Sequence, residues 1–204
     1  MASNPWVRLR QEILACHKCD LSKSRTQAVP GVGPQNAELV IIGEAPGRYE
    51  DLQGEPFVGA AGKLLTRLLE GIGIKRKTVF ITNVVKCRPP ENRQPLAVEK
   101  ETCYPYLVRQ LNLICPKVIA LVGRVPTETM LNKSVRMGAA HGQSFEHEGR
   151  TYFVMYHPAA GLYNQELVPE METDMRKMKQ LLDKEPQPEP KKGQQPLSNF
   201  FENP

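Results

Sequence analysis

Five cysteines are spread along this 204-residue chain. Cys16 and Cys19 form a Cys-x-x-Cys pair, and Cys87 and Cys103 follow far downstream with 15 residues between them. In a reducing compartment, thiols at such spacing serve as metal ligands or redox groups rather than as disulfides. Four thiolates suit either tetrahedral zinc or a 4Fe–4S cluster, and spacing does not choose between the two. Cys115, just before Pro116 and an apolar run, lies outside this set and reads as a buried apolar residue. Three other side chains stand out: Glu44, Asn83 and His157, each at the end of an apolar run. A carboxylate, an amide and an imidazole together suit a small, planar, hydrogen-bonding ligand. The amide offers one donor and one acceptor in a fixed plane.

What could bring these groups together is the order of elements. ELVIIG at 38–43, TVFITNVV at 78–85, KVIALVG at 117–123 and TYFVMY at 151–156 read as short buried strands. Helical periodicity covers 5–15, 61–72, 96–114 (interrupted near Pro105), 126–132 and 169–183. Met171, Met175, Met178 and Leu182 form an apolar stripe on the last of these. Strands alternating with helices predict an α/β fold: a central, four-stranded, mainly parallel sheet flanked by helices in three layers. Such sheets bind ligands beyond the carboxyl ends of their strands. That rim carries Glu44, Asn83 to Pro90, Gly123-Arg124 and His157 to Ala160. A phosphate-loop reading of Gly59-Ala60-Ala61-Gly62-Lys63 fails. Phe57 stands where the first glycine is required, and Leu64 replaces the Ser/Thr.

The formal charge is +5 and the isoelectric point about 9.0, which permits a polyanionic partner without proving one. No apolar run is long enough for a membrane span, and the N-terminus lacks a signal-peptide core, so a cytoplasmic location is expected. Residues 1–184 read as one domain. From 185 to 193 the chain is a polar, proline-rich linker, followed by QQPLSNFFENP.

Several motifs together resemble the family 4 uracil-DNA glycosylases. They are GEAPG at 43–47, Glu50-Asp51, GEPFVGAAGKLL at 54–65, NVVKCRPP at 83–90 and HPAA at 157–160. The resemblance spans roughly residues 10–183 and implies a glycosylase fold and excision of uracil from single- or double-stranded DNA. Its uracil pocket would comprise Gly43, Ala45, Glu50, Phe57, Asn83 and His157. Glu44 would position or activate the attacking water, Phe57 would stack on the extruded base, and Asn83 would read the uracil edge. His157 would bond uracil O2, and Glu50 would stand near the base C5 and disfavour thymine's methyl. Pro158, Ala159, Ala160, Leu162 and Tyr163 would form the DNA-entering loop, with Leu162 or Tyr163 as the wedge. No lysine is evident as a Schiff-base nucleophile, which implies a monofunctional enzyme. Ala45 leaves Glu44 as the only carboxylate of its turn, and residues 48–53 lack both a histidine and an insertion, which implies turnover rather than covalent trapping.

The resemblance also selects one 4Fe–4S cluster per chain over zinc, held by Cys16, Cys19, Cys87 and Cys103 and bracing a DNA-facing surface. Lys18, Lys23, Arg25, Lys86 and Arg88 flank these ligands and are read as phosphate contacts. In the tail, Gln194, Leu197, Phe200 and Phe201 match all four anchors of the sliding-clamp peptide pattern of the PCNA type, and this implies an archaeal source. The linker would let a monomeric body, associated with the nucleoid, search DNA near the clamp. Two other functions compete: a non-catalytic, clamp-tethered uracil or DNA sensor, and an iron–sulfur redox protein.

Overall fold

A computed structural model describes residues 4–147 and 149–184. The linker 185–193 and the tail anchors Gln194, Leu197, Phe200 and Phe201 lie outside the described residues. The strands are β1 (Leu39–Gly43), β2 (Phe80–Asn83), β3 (Val118–Val122), β4 (Ser144–His147) and β5 (Arg150–Met155). They lie in the order β2-β1-β3-β5-β4, with β1, β2, β3 and β5 parallel and β4 antiparallel to β5. The helices are α1 (Pro5–Leu14), α2 (Leu21–Ser24), α3 (Arg48–Gln53), α4 (Ala60–Gly71), α5 (Ala97–Ile114), α6 (Arg124–Leu131), α7 (Met137–Ala140), α8 (Pro158–Tyr163) and α9 (Val168–Asp183).

β1 and β3 are buried at every position, as strands covered on both faces must be. Period-two alternation sends their side chains into two cores. Val40, Ile42, Ile119, Leu121, Tyr152 and Val154 meet Leu9 and Ile13 of α1 and Leu107 and Leu111 of α5. Leu39, Ile41, Ala120, Val122, Phe153 and Met155 meet the leucines of α4 and Met171, Met175, Met178 and Leu182 of α9. The expected methionine stripe is therefore core, and the three layers are in place.

The structure adds a fifth strand to the four expected. β4 is a half-exposed edge strand, SFEH, whose polar alternation carries no buried run. Helix α5 also runs unbroken through Pro105. That residue lies on the exposed side, where the carbonyl freed by its missing N–H can meet water. Cys115 is exposed rather than buried: it ends α5 in the left-handed conformation (φ 51°), and its Sγ–H donates to the Asn112 carbonyl at 3.1 Å. Among the described residues, no helix is long and apolar enough to cross a membrane.

Candidate active site and cysteine cavity

β1 and β2 end in register, with Gly43 beside Asn83. The pairing continues past both strands, as the Val84 amide donates to the Gly43 carbonyl at 2.9 Å and the Val85 amide to that of Glu44 at 3.2 Å. Gly43 is the floor of the pocket. A Cβ there would lie 2.8 Å from the Phe57 ring and closer still to Asn83 Oδ1, so only glycine lets the two side chains converge. Asn83 is 2% exposed.

Phe57 is held in the left-handed region at φ 55°, unusual for a residue with a bulky side chain. Its neighbours impose this. Glu50 Oε1 accepts from the Val58 amide at 3.1 Å and the Gly59 amide at 3.2 Å. From the other side Arg76 Nη2 donates to the Pro56 carbonyl at 2.8 Å, while its Nη1 reaches Thr66 Oγ1 at 3.2 Å. Gly62 packs directly under the Phe57 carbonyl, with no room for a Cβ. Arg76 was not singled out in the sequence, where no motif marks it. Glu50 was expected near the base; its carboxylate also clamps the loop that carries Phe57.

The Phe57 ring stacks against His157, with centroids 5.6 Å apart and planes inclined by 28°. His157 caps α8: its Nδ1 accepts from the Ala159 amide at 3.1 Å, and its carbonyl accepts from Ala160 at 2.8 Å. An Nδ1 that accepts is unprotonated, so in the neutral ring the proton is on Nε2. Burial disfavours the cation and lowers the pKa to about 4, with the Glu50 carboxylate opposing that shift. His157 is therefore a neutral donor at physiological pH. Glu44 follows the floor glycine and is half-buried. Desolvation raises its pKa, while Arg124 and Lys100 pull it back.

Pro158, Ala159 and Ala160 open α8 rather than a loop, and its far end presents Leu162, 43% exposed, and Tyr163, 93% exposed. Neither packs in the core, so both are available as a wedge.

The four cysteines line one small pocket, between the segment after α1 and the loop after β2. Arg25 Nη1 donates to Cys87 Sγ at 2.7 Å and its Nη2 to the Cys16 carbonyl at 2.7 Å; the Lys86 amide donates to Cys103 Sγ at 3.3 Å. Burial pushes the Cys19 and Cys87 thiols up and that of Cys103 to about 11. Buried sulfurs that receive N–H donors fit thiolates neutralised by a bound metal group. Among the described residues, no three His, Cys, Asp or Glu side chains are placed to hold a single metal ion.

Two flanking cations depart from the phosphate-contact expectation: Arg25 is committed to this cavity, and Lys86 is buried. Lys86 Nζ donates to Thr82 Oγ1 and to the Asn83 carbonyl, both at 2.7 Å. Desolvation lowers its pKa to about 8, against the raising effect of Cys103 and Cys87. Asp51, also buried, accepts from the Thr26 amide at 2.9 Å and ties the cysteine-bearing N-terminal segment to α3.

A family model described as the uracil DNA glycosylase superfamily matches residues 30–183. Over 182 residues the chain is 50% identical to a type-4 uracil-DNA glycosylase of Archaeoglobus fulgidus, covering 85% of this chain and 92% of that protein. It is 46% identical over 187 residues to a type-4 uracil-DNA glycosylase of Saccharolobus solfataricus, covering 87% of each. Identity to a protein of the same description from Thermotoga maritima is 37% over 179 residues, covering 86% of this chain and 93% of that one.

Proposed function

The chain belongs to the type-4 uracil-DNA glycosylases, and from that premise we propose that it excises uracil from DNA by hydrolysing the N-glycosidic bond, as a monofunctional enzyme that starts base excision repair. The observation that carries the assignment of roles is the convergence of Asn83, Phe57 and a neutral His157 over Gly43. The target bond lies inside the stack, so the nucleotide is first flipped out at a cost of a few kcal/mol. Stacking on Phe57, about 1–3 kcal/mol, offsets part of that cost. Leu162 or Tyr163 fills the space left in the duplex. The Asn83 amide matches the adjacent N3–H and O4 of uracil. As the bond breaks, negative charge collects near O2, where the His157 Nε2–H donates. Water attacks the cationic sugar carbon beside the ionised Glu44.

The four-cysteine cavity is read as the seat of one 4Fe–4S cluster, supported by the donor set: Cys16, Cys19, Cys87 and Cys103 line one pocket. When bound, such a cluster supplies a rigid crosslink and fixed negative charge. Cys16 and Cys19 would join Cys87 and Cys103 across it, fastening the N-terminal segment to the loop that follows Asn83.

Pure holoprotein incubated with a uracil-containing oligonucleotide is expected to leave abasic sites, with strand breaks only after alkali. Glu44→Gln lowers kcat by about a hundredfold. In the wild type, kcat falls on the acid side as Glu44 is protonated. Its raised pKa places that fall above the ordinary carboxylate value of 4.5. Full activity in both Glu44→Ala and His157→Ala would refute these roles.

The tail is read as a sliding-clamp peptide, supported by the four anchors Gln194, Leu197, Phe200 and Phe201, and the enzyme as a cytoplasmic monomer held near DNA by the clamp. Removing residues 190–204 is expected to abolish binding to a PCNA-type clamp and to leave excision on short oligonucleotides unchanged. Loss of both would contradict a tether.

A further inference from the structure

Lys86 is 1% exposed, and among the described residues it is the only lysine or arginine that is buried. No carboxylate pairs with its ammonium among those residues; two of its N–H groups go to neutral oxygens, Thr82 Oγ1 and the Asn83 carbonyl. A charge removed from water in this way requires compensation. The groups nearby that can become anions are the sulfurs of Cys103, which accepts from the Lys86 amide, and Cys87, the next residue. The same residue therefore touches both sites: it lines the cysteine cavity, where its amide meets Cys103, and its side-chain tip holds the end of β2. The tip is held in turn. Thr82 Oγ1 donates to the Pro30 carbonyl at 3.0 Å, and Gln110 Nε2 donates to that carbonyl at 2.7 Å, so the hydroxyl that accepts from the ammonium is itself held in place.

We propose that Lys86 is a positioning residue for uracil recognition: its ammonium is the internal counter-charge of the cysteine-bound group, and in that state it locks the Asn83 carbonyl and so sets the plane of the Asn83 amide. This rests on the reading of Asn83 as the uracil-edge reader and of the cavity as a metal–sulfur site. It makes the cysteine site more than a brace. Its negative charge stabilises the buried cation that aims the base reader, so a change at the sulfurs reaches the uracil pocket through one side chain.

The test uses purified holoprotein and two readouts besides turnover: the dissociation constant of free uracil by calorimetry, and the half-life of the cluster's visible absorbance under an oxidant. Lys86→Met keeps length and removes charge. It is expected to weaken free uracil binding about tenfold, equivalent to about 1.4 kcal/mol, and to shorten the absorbance half-life. Wild-type values for both would overturn the proposal. Should Lys86→Met fail to fold, Thr82→Val removes one acceptor and leaves the charge. It is expected to weaken uracil binding while iron per chain stays at the wild-type value, and unchanged uracil binding in Thr82→Val overturns the proposal. Asn83→Ala separates the two levels. If it leaves free uracil binding unchanged, the base-reading assignment fails and the inference with it. If it weakens binding while Lys86→Met and Thr82→Val do not, the inference alone fails.

Discussion

His157→Ala is expected to lower kcat on uracil-containing DNA by about 10²–10³-fold, with a much smaller change in KM. The size follows from what the side chain offers. Its Nδ1 is occupied by the Ala159 amide, so the Nε2–H is the only ring donor, carried at the head of α8 on a ring that stacks against Phe57. The charge it meets, on uracil O2, is small in the ground state and large when the glycosidic bond breaks, so the loss falls on kcat. The pH profile tests the protonation state. Burial lowers the pKa to about 4, so the ring is neutral throughout pH 5–8 and the wild type shows no histidine titration there. A cationic donor would give a rate that climbs as pH falls through 6.5 and a climb that disappears in His157→Ala; that result would refute the neutral form. Stability has the matching sign. The unfolded chain binds this proton near pH 6.5 and the folded chain only near pH 4. The contribution of the neutral ring is therefore complete above 6.5 and is lost as pH falls from there toward 4.

The sequence places Glu44, Asn83 and His157 on one rim because each follows a buried apolar run, and parallel strands bring their carboxyl ends to one edge. That reasoning needs only period and order; the register sets Gly43 beside Asn83, and the His157 ring stacks on Phe57. Phe57 is different. Nothing local marks a phenylalanine for the left-handed region, since its conformation is imposed by Glu50, Arg76 and Gly62, from three separate segments. It was reachable only through the motif that carries it. Lys86 misled for the same reason. A lysine beside a cysteine reads as a surface cation by composition, and only the tertiary arrangement of Thr82, Asn83 and Cys103 shows it buried. Cys115 reads as a small hydrophobe, but the left-handed turn that ends α5 turns it to solvent. β4 escaped because an edge strand with one open face has no buried run to detect.

Asn83→Asp is expected to reduce uracil excision by about 10⁴-fold, the largest loss of any single substitution considered. A site built to hydrogen-bond a substrate group rejects a mismatched partner by 10⁴–10⁵, because buried polar atoms are then left facing each other unpaired. The asparagine amide gives uracil one donor for O4 and one acceptor for N3–H; a carboxylate gives two acceptors. The O4 lone pairs would then meet a second set of lone pairs at a position only 2% exposed, where water cannot intervene. Cytosine presents the reverse pattern at that edge, an N4–H₂ donor beside an N3 acceptor, which the protonated acid matches with one acceptor and one donor; slow excision of cytosine is the expected companion effect, measured on a cytosine-containing oligonucleotide by alkali cleavage. The variant should still fold. It is isosteric, the crowding of this side chain against Gly43 leaves its orientation unchanged, and Lys86 Nζ, 2.7 Å from the residue's own carbonyl, stands ready to offset the added charge. A thermal midpoint near that of the wild type, together with lost uracil excision, assigns the effect to recognition. Retained uracil excision would show that another group reads the base edge and would remove Asn83 from the centre of the pocket.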